Sequence, residues 1–344
     1  MPLSFFAFLE QLSHQPALIL TTALTLAVLL VNGWTDAPNA IAGVVATGVL
    51  PFGRAVLLAA VCNFAGVLCV TTVNASVAET VYSIASFSGG TKAALTALCA
   101  AMASIVLWAV AAWRFGIPTS ESHALVAGIS GAAIALEGSV SCIRWDCWGK
   151  VLLGLFLSTA VGFWAGRAAC RRLHCFHPSD RLCSWAQIPC AAGTAFLHGA
   201  QDGQKFLGVF LLGSALAQGR CDEQTFCIPL WLMGGCALFM ALGTGIGGRR
   251  IIDTVAKDMV SLRPQGAFAA DLGSLSCLLV ATLLGLPVST THTRTAAWLG
   301  AGAAQNSKPR WAVAGQIALA WLLTFPGCLA LGYWLASLFL AFLL

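Results

Sequence analysis

The chain has 344 residues; 58% are hydrophobic, 9% are charged, and the mean hydropathy is +0.84. Soluble domains carry about 25% charged residues, so this composition excludes an ordinary soluble protein. The net charge of +5 does not indicate nucleic-acid binding, because the basic residues lie in connections between apolar stretches.

Along the chain, nine stretches are almost free of charge. They lie at 17–31, 55–73, 93–113, 148–166, 186–200, 206–218, 226–246, 267–287 and 311–344. Several reach the roughly 20 residues that cross a hydrocarbon core about 30 Å thick. With no water in that core, the backbone must satisfy its own hydrogen bonds, so we expect helices. The sequence predicts an all-α, multi-pass membrane protein.

Two connections carry clusters of basic residues. These are Arg167, Arg171, Arg172 and Arg181 in one, and Arg249, Arg250, Lys257 and Arg263 in the other. Short basic connections of membrane proteins stay on the cytoplasmic side. Two apolar stretches separate the clusters, and an even number of crossings returns the chain to the same side. Both connections are therefore predicted to be cytoplasmic.

An internal repeat is visible in two pairs of motifs. Residues 116–135 read GIPTSESHALVAGISGAAIA and residues 285–304 read GLPVSTTHTRTAAWLGAGAA, an offset of 169. Upstream, NGWTDAPNAIAG at 32–43 parallels HGAQDGQKFLGV at 198–209, and Asp36 aligns with Asp202 at an offset of 166. Two motif pairs at nearly one offset indicate a duplication. We predict halves at 1–170 and 186–344, joined by a basic cytoplasmic connector at 171–185.

Each half contains two Gly- or Pro-rich motifs that interrupt apolar sequence. In secondary transporters, paired interruptions of this kind in the two halves mark the binding site. Broken helices leave free N–H groups and a positive dipole end inside the membrane, which suits an anion. The predicted fold class is therefore two inverted-topology repeats, with broken helices or re-entrant hairpins meeting at a mid-membrane site.

The two aligned acids are the strongest candidates for holding a cation. A carboxylate inside a membrane is costly unless it is paired, and such residues mark ion pathways. Carboxylate and amide oxygens suit a hard cation. The predicted cation-coupling residues are Asp36, Asn39, Asn32, Asp202, Gln201 and Glu121, with Asp36, Asn39 and Asp202 as ligands if the cation is Na⁺.

The hydroxyl clusters that follow Pro118 and Pro287 are candidates for binding an anion. Hydroxyls beside a proline commonly cap a helix, but matching clusters in both halves favour a tetrahedral oxyanion with many acceptor oxygens. The predicted anion ligands are Thr119, Ser120, Ser122, Gln204, Ser289, Thr290 and Thr291.

The acids would repel an oxyanion strongly in a low-dielectric cavity. A bound cation or a protonated carboxylate removes that repulsion, so anion and cation affinities rise together, as symport requires. Glu121 could take up a proton, complete a sodium site or pair with His123. Lys205 could pair with Asp202 or contact the anion, and these alternatives stay open.

Three further polar residues lie in apolar sequence. His123 and His292 occupy matching positions, which favours a shared structural hydrogen bond over a proton relay. Asp271 aligns with Met102 and so has no symmetric mate; it is expected to pair with a basic residue or to serve a peripheral cation site.

Five segments, NGWTDAPNAIA, GIPTSESHALVAG, HGAQDGQKFLG, GTGIGGRRIIDTV and GLPVSTTHT, together resemble the inorganic phosphate transporter (PiT) family. The resemblance extends from about residue 25 to residue 325, in family order. It implies an inverted-repeat fold, phosphate as substrate, coupling to Na⁺ or H⁺, and a homodimer.

The resemblance also carries over individual positions. It assigns Asp36, Asn39, Asp202 and the two hydroxyl motifs to phosphate and its coupled cation. The hydroxyls concerned are Ser120, Ser122, Ser289, Thr290 and Thr291. The chain departs from the family pattern at four places, which are Pro38, Gln201, the pair Gln204–Lys205, and Glu121. Lys205 changes the local charge by +1 and Glu121 by −1, so the coupling ion stays open.

The sequence thus predicts a phosphate symporter of the cell membrane, plasma or inner, with no cofactor beyond the coupling ion. A sulfate or other oxyanion permease of the same fold is the alternative. An intramembrane enzyme is disfavoured, because duplicated acids and hydroxyls suit alternating access and not a one-sided active site. A channel is disfavoured, because it needs no cation-ligating acids in both halves.

Overall fold

The computed structural model describes residues 4–219, 228–246, 248–305, 307 and 309–343. Residues 1–3, 226–227 and 344, at the ends of predicted segments, lie outside these ranges. The first eight helices are α1 (Phe5–His14), α2 (Pro16–Thr35), α3 (Pro38–Ala46), α4 (Phe52–Thr71), α5 (Ser76–Tyr82), α6 (Thr91–Arg114), α7 (Glu121–Glu137) and α8 (Trp145–Phe176). The others are α9 (Asp180–Ala217), α10 (Leu230–Ile246), α11 (Arg249–Asp253) with a π-helical turn at Thr254–Met259, α12 (Pro264–Leu283), α13 (Thr290–Ala304) and α14 (Trp311–Leu343).

Among the described residues, six helical segments are long and apolar enough to cross a membrane. They are Pro16–Ala46, Phe52–Thr71, Thr91–Arg114, Trp145–Phe176, Pro264–Leu283 and Trp311–Phe342. A seventh results if α10 and the bent segment Arg249–Met259 count as one span. The prediction of an all-helical, multi-pass membrane protein is confirmed. The connector predicted at 171–185 is largely helical, since α8 runs to Phe176 and α9 begins at Asp180.

Two helical hairpins, α6–α7 and α12–α13, carry the hydroxyl motifs at their tips. Gly116 and Gly285 stand at the start of the tips with φ of 69° and 64°, a left-handed conformation that glycine adopts without strain. Pro118 and Pro287 follow, and a serine is the N-cap of the next helix in both hairpins. The repeated sequence therefore folds into the same turn twice.

The two hairpins approach the centre of the protein from opposite ends of α9. At the beginning of α9, Gln187 donates a hydrogen bond of 3.4 Å to the carbonyl of Pro264, where α12 starts. Just beyond the end of α9, Gly219 lies beside Thr91, where α6 starts. Inverted repeats produce such an arrangement.

Each hairpin is held by one long helix through backbone contacts at glycine. A methyl group at Gly131 of α7 would collide with the carbonyl oxygen of Leu329 in α14. A methyl group at Gly166 of α8 would collide with the carbonyl oxygen of Ala297 in α13. Small residues allow this approach where the hydrophobic effect between helices is weak, as in a membrane.

The two basic connections lie side by side. Gln265, at the start of α12, donates a hydrogen bond of 2.8 Å to the carbonyl of Pro178, in the turn between α8 and α9. Both connections therefore lie at one end of the molecule, as the even number of crossings predicted.

The acidic motifs of the two halves fold differently. The first is interrupted at Asp36 and Ala37, between the end of α2 and Pro38 at the start of α3. The second runs unbroken through Asp202 inside α9. A break was expected in both halves. Pro38 lacks an N–H and cannot continue the helical ladder, whereas the second motif has no proline and stays helical.

Candidate functional site

The tips of the two hairpins meet beside the middle of α9. Asp202 stands 22 residues from the start of α9 and 15 from its end, which is about 33 Å and 23 Å along the helix. Lys205, on the same helix, is 2% exposed. Its ammonium group donates to Ser122 Oγ of α7 at 2.6 Å and to the Val288 carbonyl before α13 at 2.8 Å. One buried cation thus joins both tips to α9.

Asp202 is the most heavily contacted acid of the site. Its Oδ1 accepts a hydrogen bond of 2.6 Å from Lys205, and the two form a buried ion pair. Its Oδ2 accepts from Asn32 Nδ2 of α2 at 3.3 Å and lies 3.3 Å from His198 Nε2, one helical turn earlier. Burying a carboxylate is tolerable here because several polar groups compensate its charge.

Asp36, the acid of the first half, is also buried but forms no ion pair with a lysine among the described residues. Asn39 Nδ2 donates to the carbonyl of Asp36 at 3.0 Å, to its Oδ1 at 3.2 Å, and to Thr291 Oγ1 of α13 at 3.3 Å. Asn39 therefore connects the first acid to the tip of the second hairpin.

The two acidic motifs make matching contacts with different side chains. At the offset of 166, Asn39 aligns with Lys205; at the offset of 169, Ser122 aligns with Thr291. Asn39 contacts its own acid and Thr291, and Lys205 contacts its own acid and Ser122. The two networks differ by one positive charge.

Glu121, the first residue of α7, adds a third buried carboxylate. Its Oε1 accepts a hydrogen bond from Thr35 Oγ1, at the end of α2. Thr35 Oγ1 also lies 2.8 Å from the carbonyl of Val31, so its one hydrogen has two possible acceptors. Glu121 is therefore held against the break between α2 and α3. Among the described residues no pairing of Glu121 with His123 is seen, although that was one of the three alternatives.

A chain of hydrogen bonds fixes the orientation of His198. Thr244 donates to the carbonyl of Met240 at 2.9 Å and accepts from Asn63 Nδ2 at 3.1 Å. Asn63 therefore presents Oδ1 to His198 Nδ1, 3.0 Å away. Because a carbonyl oxygen only accepts, Nδ1 carries the hydrogen, and Nε2 is turned towards Asp202 Oδ2 at 3.3 Å.

Three groups that can ligate a cation therefore surround one position. One ligand atom each from Asp36, His198 and Asp202 lie within 4.8 Å of one another, and all three residues are buried. Two ionised carboxylates this close repel each other unless a positive charge lies beside them. These atoms could hold a cation, as was predicted for Asp36 and Asp202.

Other polar atoms around the tips are buried and lack a hydrogen-bond partner within the described part of the chain. They are the amide oxygens of Asn32 and Asn39, Glu121 Oε2, Ser120 Oγ and Thr290 Oγ1. Leaving a buried polar atom unpaired costs roughly 1–3 kcal/mol, so each requires an explanation. The amide oxygens can accept from or ligate a cation, and the hydroxyls can donate to an anion.

The remaining predicted site residues occupy other places. Gln201 donates to Thr282 Oγ1 at 3.0 Å and to the Leu286 carbonyl at 3.2 Å, so its amide braces the second tip. Gln204 donates a hydrogen bond of 2.7 Å to the carbonyl of Asn74, between α4 and α5. Ser289 accepts from the N–H of His292 at 3.2 Å and caps α13. Thr119 is half-buried in the first tip.

The two repeated histidines pack as rings. His123 and His292 lie with ring centroids 4.6 Å apart, edge to face, and His292 stacks on Trp321 at 3.7 Å. The expected shared hydrogen bond is replaced by this ring contact between the tips. The packing suits residues that fix the tips against each other.

Asp271 forms a buried ion pair with Arg294 of α13, inside the second hairpin. Arg294 also donates to Ser274 Oγ at 3.2 Å and lies over the ring of Trp298. The expected pairing with a basic residue is therefore what the structure contains. Arg294 was not predicted from the sequence, because THTRTAAW alone does not show which acid faces it.

Comparison with known proteins assigns this arrangement to a family. A family model described as the phosphate transporter family matches residues 32–180 and 171–332, most of the chain. The chain belongs to the phosphate transporter family. The resemblance to the PiT family is thereby confirmed, and so is the expectation of a transporter and not an enzyme.

Two relatives of this phosphate transporter family member are described as probable low-affinity inorganic phosphate transporters. The protein of Bacillus subtilis is 34% identical over 325 residues, covering 92% of this chain and 96% of the relative. The protein of Rhizobium meliloti is 34% identical over 343 residues, covering 94% of this chain and 97% of the relative. A solved structure, titled the sodium-dependent phosphate transporter, shares the fold with a TM-score of 0.85 at 19% identity, covering 94% of this chain and 99% of that one.

Three residues of this family member's site were missed from sequence: Thr35, Asn63 and His198. The repeat holds a signal for one of them, since His198 aligns with Asn32 at the offset of 166. Asn63 lies in an apolar stretch of α4 with no counterpart among the quoted motifs. Its role depends on the packing of α4 against α9, which sequence periodicity does not specify.

Proposed function

We propose that this chain is a symporter that carries inorganic phosphate across the cell membrane together with Na⁺ or H⁺. The observation that carries the proposal is the meeting of two helix N-termini, α7 and α13, beside the buried acids of α2 and α9. Helix N-termini attract anions, and the acids attract cations. Family membership supports phosphate as the anion.

Phosphate would bind at the two tips. Ser120 Oγ and Thr290 Oγ1 are buried and without a partner among the described residues, so they have donors available for an oxyanion. Ser122 and Thr291 already contact Lys205 and Asn39. A tetrahedral anion between the tips would satisfy the free hydroxyls and also the first N–H groups of α7 and α13.

The transported cation would lie between Asp36 and Asp202. The support is the trio of Asp36, His198 and Asp202, whose ligand atoms lie within 4.8 Å of one another. The free amide oxygens of Asn32 and Asn39 add two neutral ligands of the kind that Na⁺ accepts. Glu121 is the alternative carrier if the cation is a proton, since its Oε2 is unpartnered in the described structure.

Coupling follows from the charges. When ionised, the buried carboxyl groups of Asp36, Glu121 and Asp202 bring up to three negative charges near the phosphate position, and Lys205 brings one positive charge. An added anion is repelled at short range in a medium of low dielectric constant. A cation beside Asp36 reduces that repulsion, so each ligand raises the affinity of the other by the same factor.

The architecture would support alternating access. The two hairpins reach the site from opposite ends of α9, which supports halves related as inverted repeats about residues 171–185. We place the basic connections in the cytoplasm by the positive-inside rule. A homodimer is carried over from the PiT resemblance.

The test is uptake of radiolabelled phosphate into proteoliposomes under an inward Na⁺ gradient, an inward H⁺ gradient or none. Asp36→Asn is the test variant. Asp146→Asn is the matched control, because Asp146 is exposed and pairs with Arg144 at the surface. We expect one of the two gradients to drive phosphate uptake. This uptake should be lost in Asp36→Asn and kept in Asp146→Asn. Sulfate competes in a parallel arm. Transport of sulfate with no phosphate uptake would replace phosphate by another oxyanion, and equal uptake without any gradient would overturn symport.

A further inference from the structure

The second half of the site already contains a cation of its own. The ammonium group of Lys205 contacts three oxygen atoms: Asp202 Oδ1 at 2.6 Å, Ser122 Oγ at 2.6 Å and the Val288 carbonyl at 2.8 Å. A carboxylate, a hydroxyl and a backbone carbonyl are ligands typical of a small hard cation. Lys205 therefore fills an oxygen-lined position with a charge that cannot leave the protein.

The first half shows the same position without the charge. Asn39, which aligns with Lys205, contacts Asp36 Oδ1 and Thr291 Oγ1, the counterparts of Asp202 and Ser122. Its amide is neutral. Asp36 thus has no covalently attached countercharge next to it along the helix, whereas Asp202 has one.

The ammonium group also joins the three elements that a coupling ion at this place would join. It lies on α9 and binds one atom at each hairpin tip, Ser122 and Val288. A transported cation in this place would draw the tips together when bound and free them when released. A lysine draws them together in every cycle without being transported.

We propose that Lys205 is a tethered countercation that takes the place of a transported cation, so that fewer cations accompany each phosphate than the two acidic motifs could hold. Asp202 is neutralised from within the protein, and Asp36 depends on a cation from solution. This inference rests on the proposed symport, and it adds the stoichiometry and the residue that sets it.

The test compares Lys205→Asn, which copies Asn39 into the second half, with wild type. The charge moved per phosphate is obtained in proteoliposomes from the membrane voltage at which phosphate flux stops, at fixed phosphate and cation gradients. Lys205→Asn is expected to move one more positive charge per phosphate. Lys257→Asn is the control, because Lys257 is exposed and pairs only with Asp253 among the described residues. It is expected to match wild type.

Two double variants isolate the charge from the shape of the side chain. Asn39→Lys with Lys205→Asn moves the tethered charge to the other half and is expected to restore the wild-type charge count. Lys205→Asn with Asp202→Asn removes the acid together with its partner and is expected to need no extra cation. If Lys205 only held the tips together, the charge moved per phosphate would be the same as in wild type in every variant that transports.

A binding measurement covers the case in which Lys205→Asn does not transport. Purified protein is heated in NaCl or in choline chloride at several pH values, because a bound cation raises the melting temperature. A larger rise with Na⁺ or with protons for Lys205→Asn than for wild type supports the inference. Equal shifts in the two proteins overturn it. Wild type that shows no gradient-driven uptake would instead overturn the proposed symport, so the two failures are distinguishable.

Discussion

The two aligned acidic motifs of this phosphate transporter family member differ in charge and in backbone. The motif around Asp36 is broken by Pro38 and contains the neutral Asn39, whereas the motif around Asp202 is continuous helix and has Lys205 at the aligned position. Both still reach across to the opposite hairpin, at Thr291 and Ser122 respectively. The comparison teaches that the aligned motifs make the same contacts across the site, while one aligned position decides whether the contacting side chain is charged, as in Lys205, or neutral, as in Asn39.

The largest effect is expected at Asp36, where we propose that a cation binds from solution. Asp36→Asn preserves the shape of the side chain and its contact with Asn39 but removes the charge that attracts the cation. We expect gradient-driven phosphate uptake to fall at least about 100-fold, equivalent to roughly 2.7 kcal/mol of lost coupling. The melting temperature should stay close to wild type, because no buried cation is left unpaired. A variant that unfolds, or that keeps coupled uptake, would contradict this.

The corresponding change in the other half should affect stability first. Asp202→Asn leaves the buried ammonium of Lys205 without its carboxylate, and breaking one side of a buried pair costs about 3–5 kcal/mol. We expect a large drop in melting temperature for Asp202→Asn. Replacing the lysine as well, in Asp202→Asn with Lys205→Met, should recover most of it. Equal stability of Asp36→Asn and Asp202→Asn would remove the distinction between the two halves.

A second difference between the halves lies away from the site. The buried pair Asp271–Arg294 in the second hairpin aligns at the offset of 169 with Met102 and Leu125, which belong to the apolar core of the first half. Replacing only Asp271 by Met should destabilise the protein by about 3–5 kcal/mol, because Arg294 is left buried and unpaired. Replacing both, as Asp271→Met with Arg294→Leu, should be near neutral in thermal unfolding and keep phosphate uptake. A double variant no more stable than the single one would show that the pair holds α12 and α13 in register.

Much of the site that the two halves share could be predicted from the sequence. The aligned motifs predicted the two acids, the two hydroxyl tips and their meeting, because glycine and proline at fixed positions impose the same turn wherever they occur. Asp202 and Ser122 are joined through Lys205, and Asp36 and Thr291 are joined through Asn39.

Other parts of the site depended on packing that no motif encodes. Gln204 bonds to the carbonyl of Asn74 only because the chain breaks between α4 and α5, and that break has no proline or glycine to signal it. The continuity of α9 through Asp202 was missed because glycine beside a carboxylate suggests a break, although helix formation around it is tolerated. The Asp271–Arg294 pair required knowing which faces of α12 and α13 touch.

The smallest difference concerns the two N-cap serines at the tips. Ser289 accepts the N–H of His292 and so stabilises α13, whereas Ser120 makes no side-chain cap and its hydroxyl is free in the described structure. Ser289→Ala should therefore lower stability by about 1 kcal/mol, the usual loss for an N-cap. Ser120→Ala should leave the melting temperature nearly unchanged and raise the KM for phosphate several-fold, since one neutral hydrogen bond to the anion contributes about 1 kcal/mol. Thermal unfolding and phosphate uptake on both variants check this. If Ser120→Ala loses stability while its KM stays at the wild-type value, Ser120 is a cap like its counterpart, and the anion is bound by other groups at the tip.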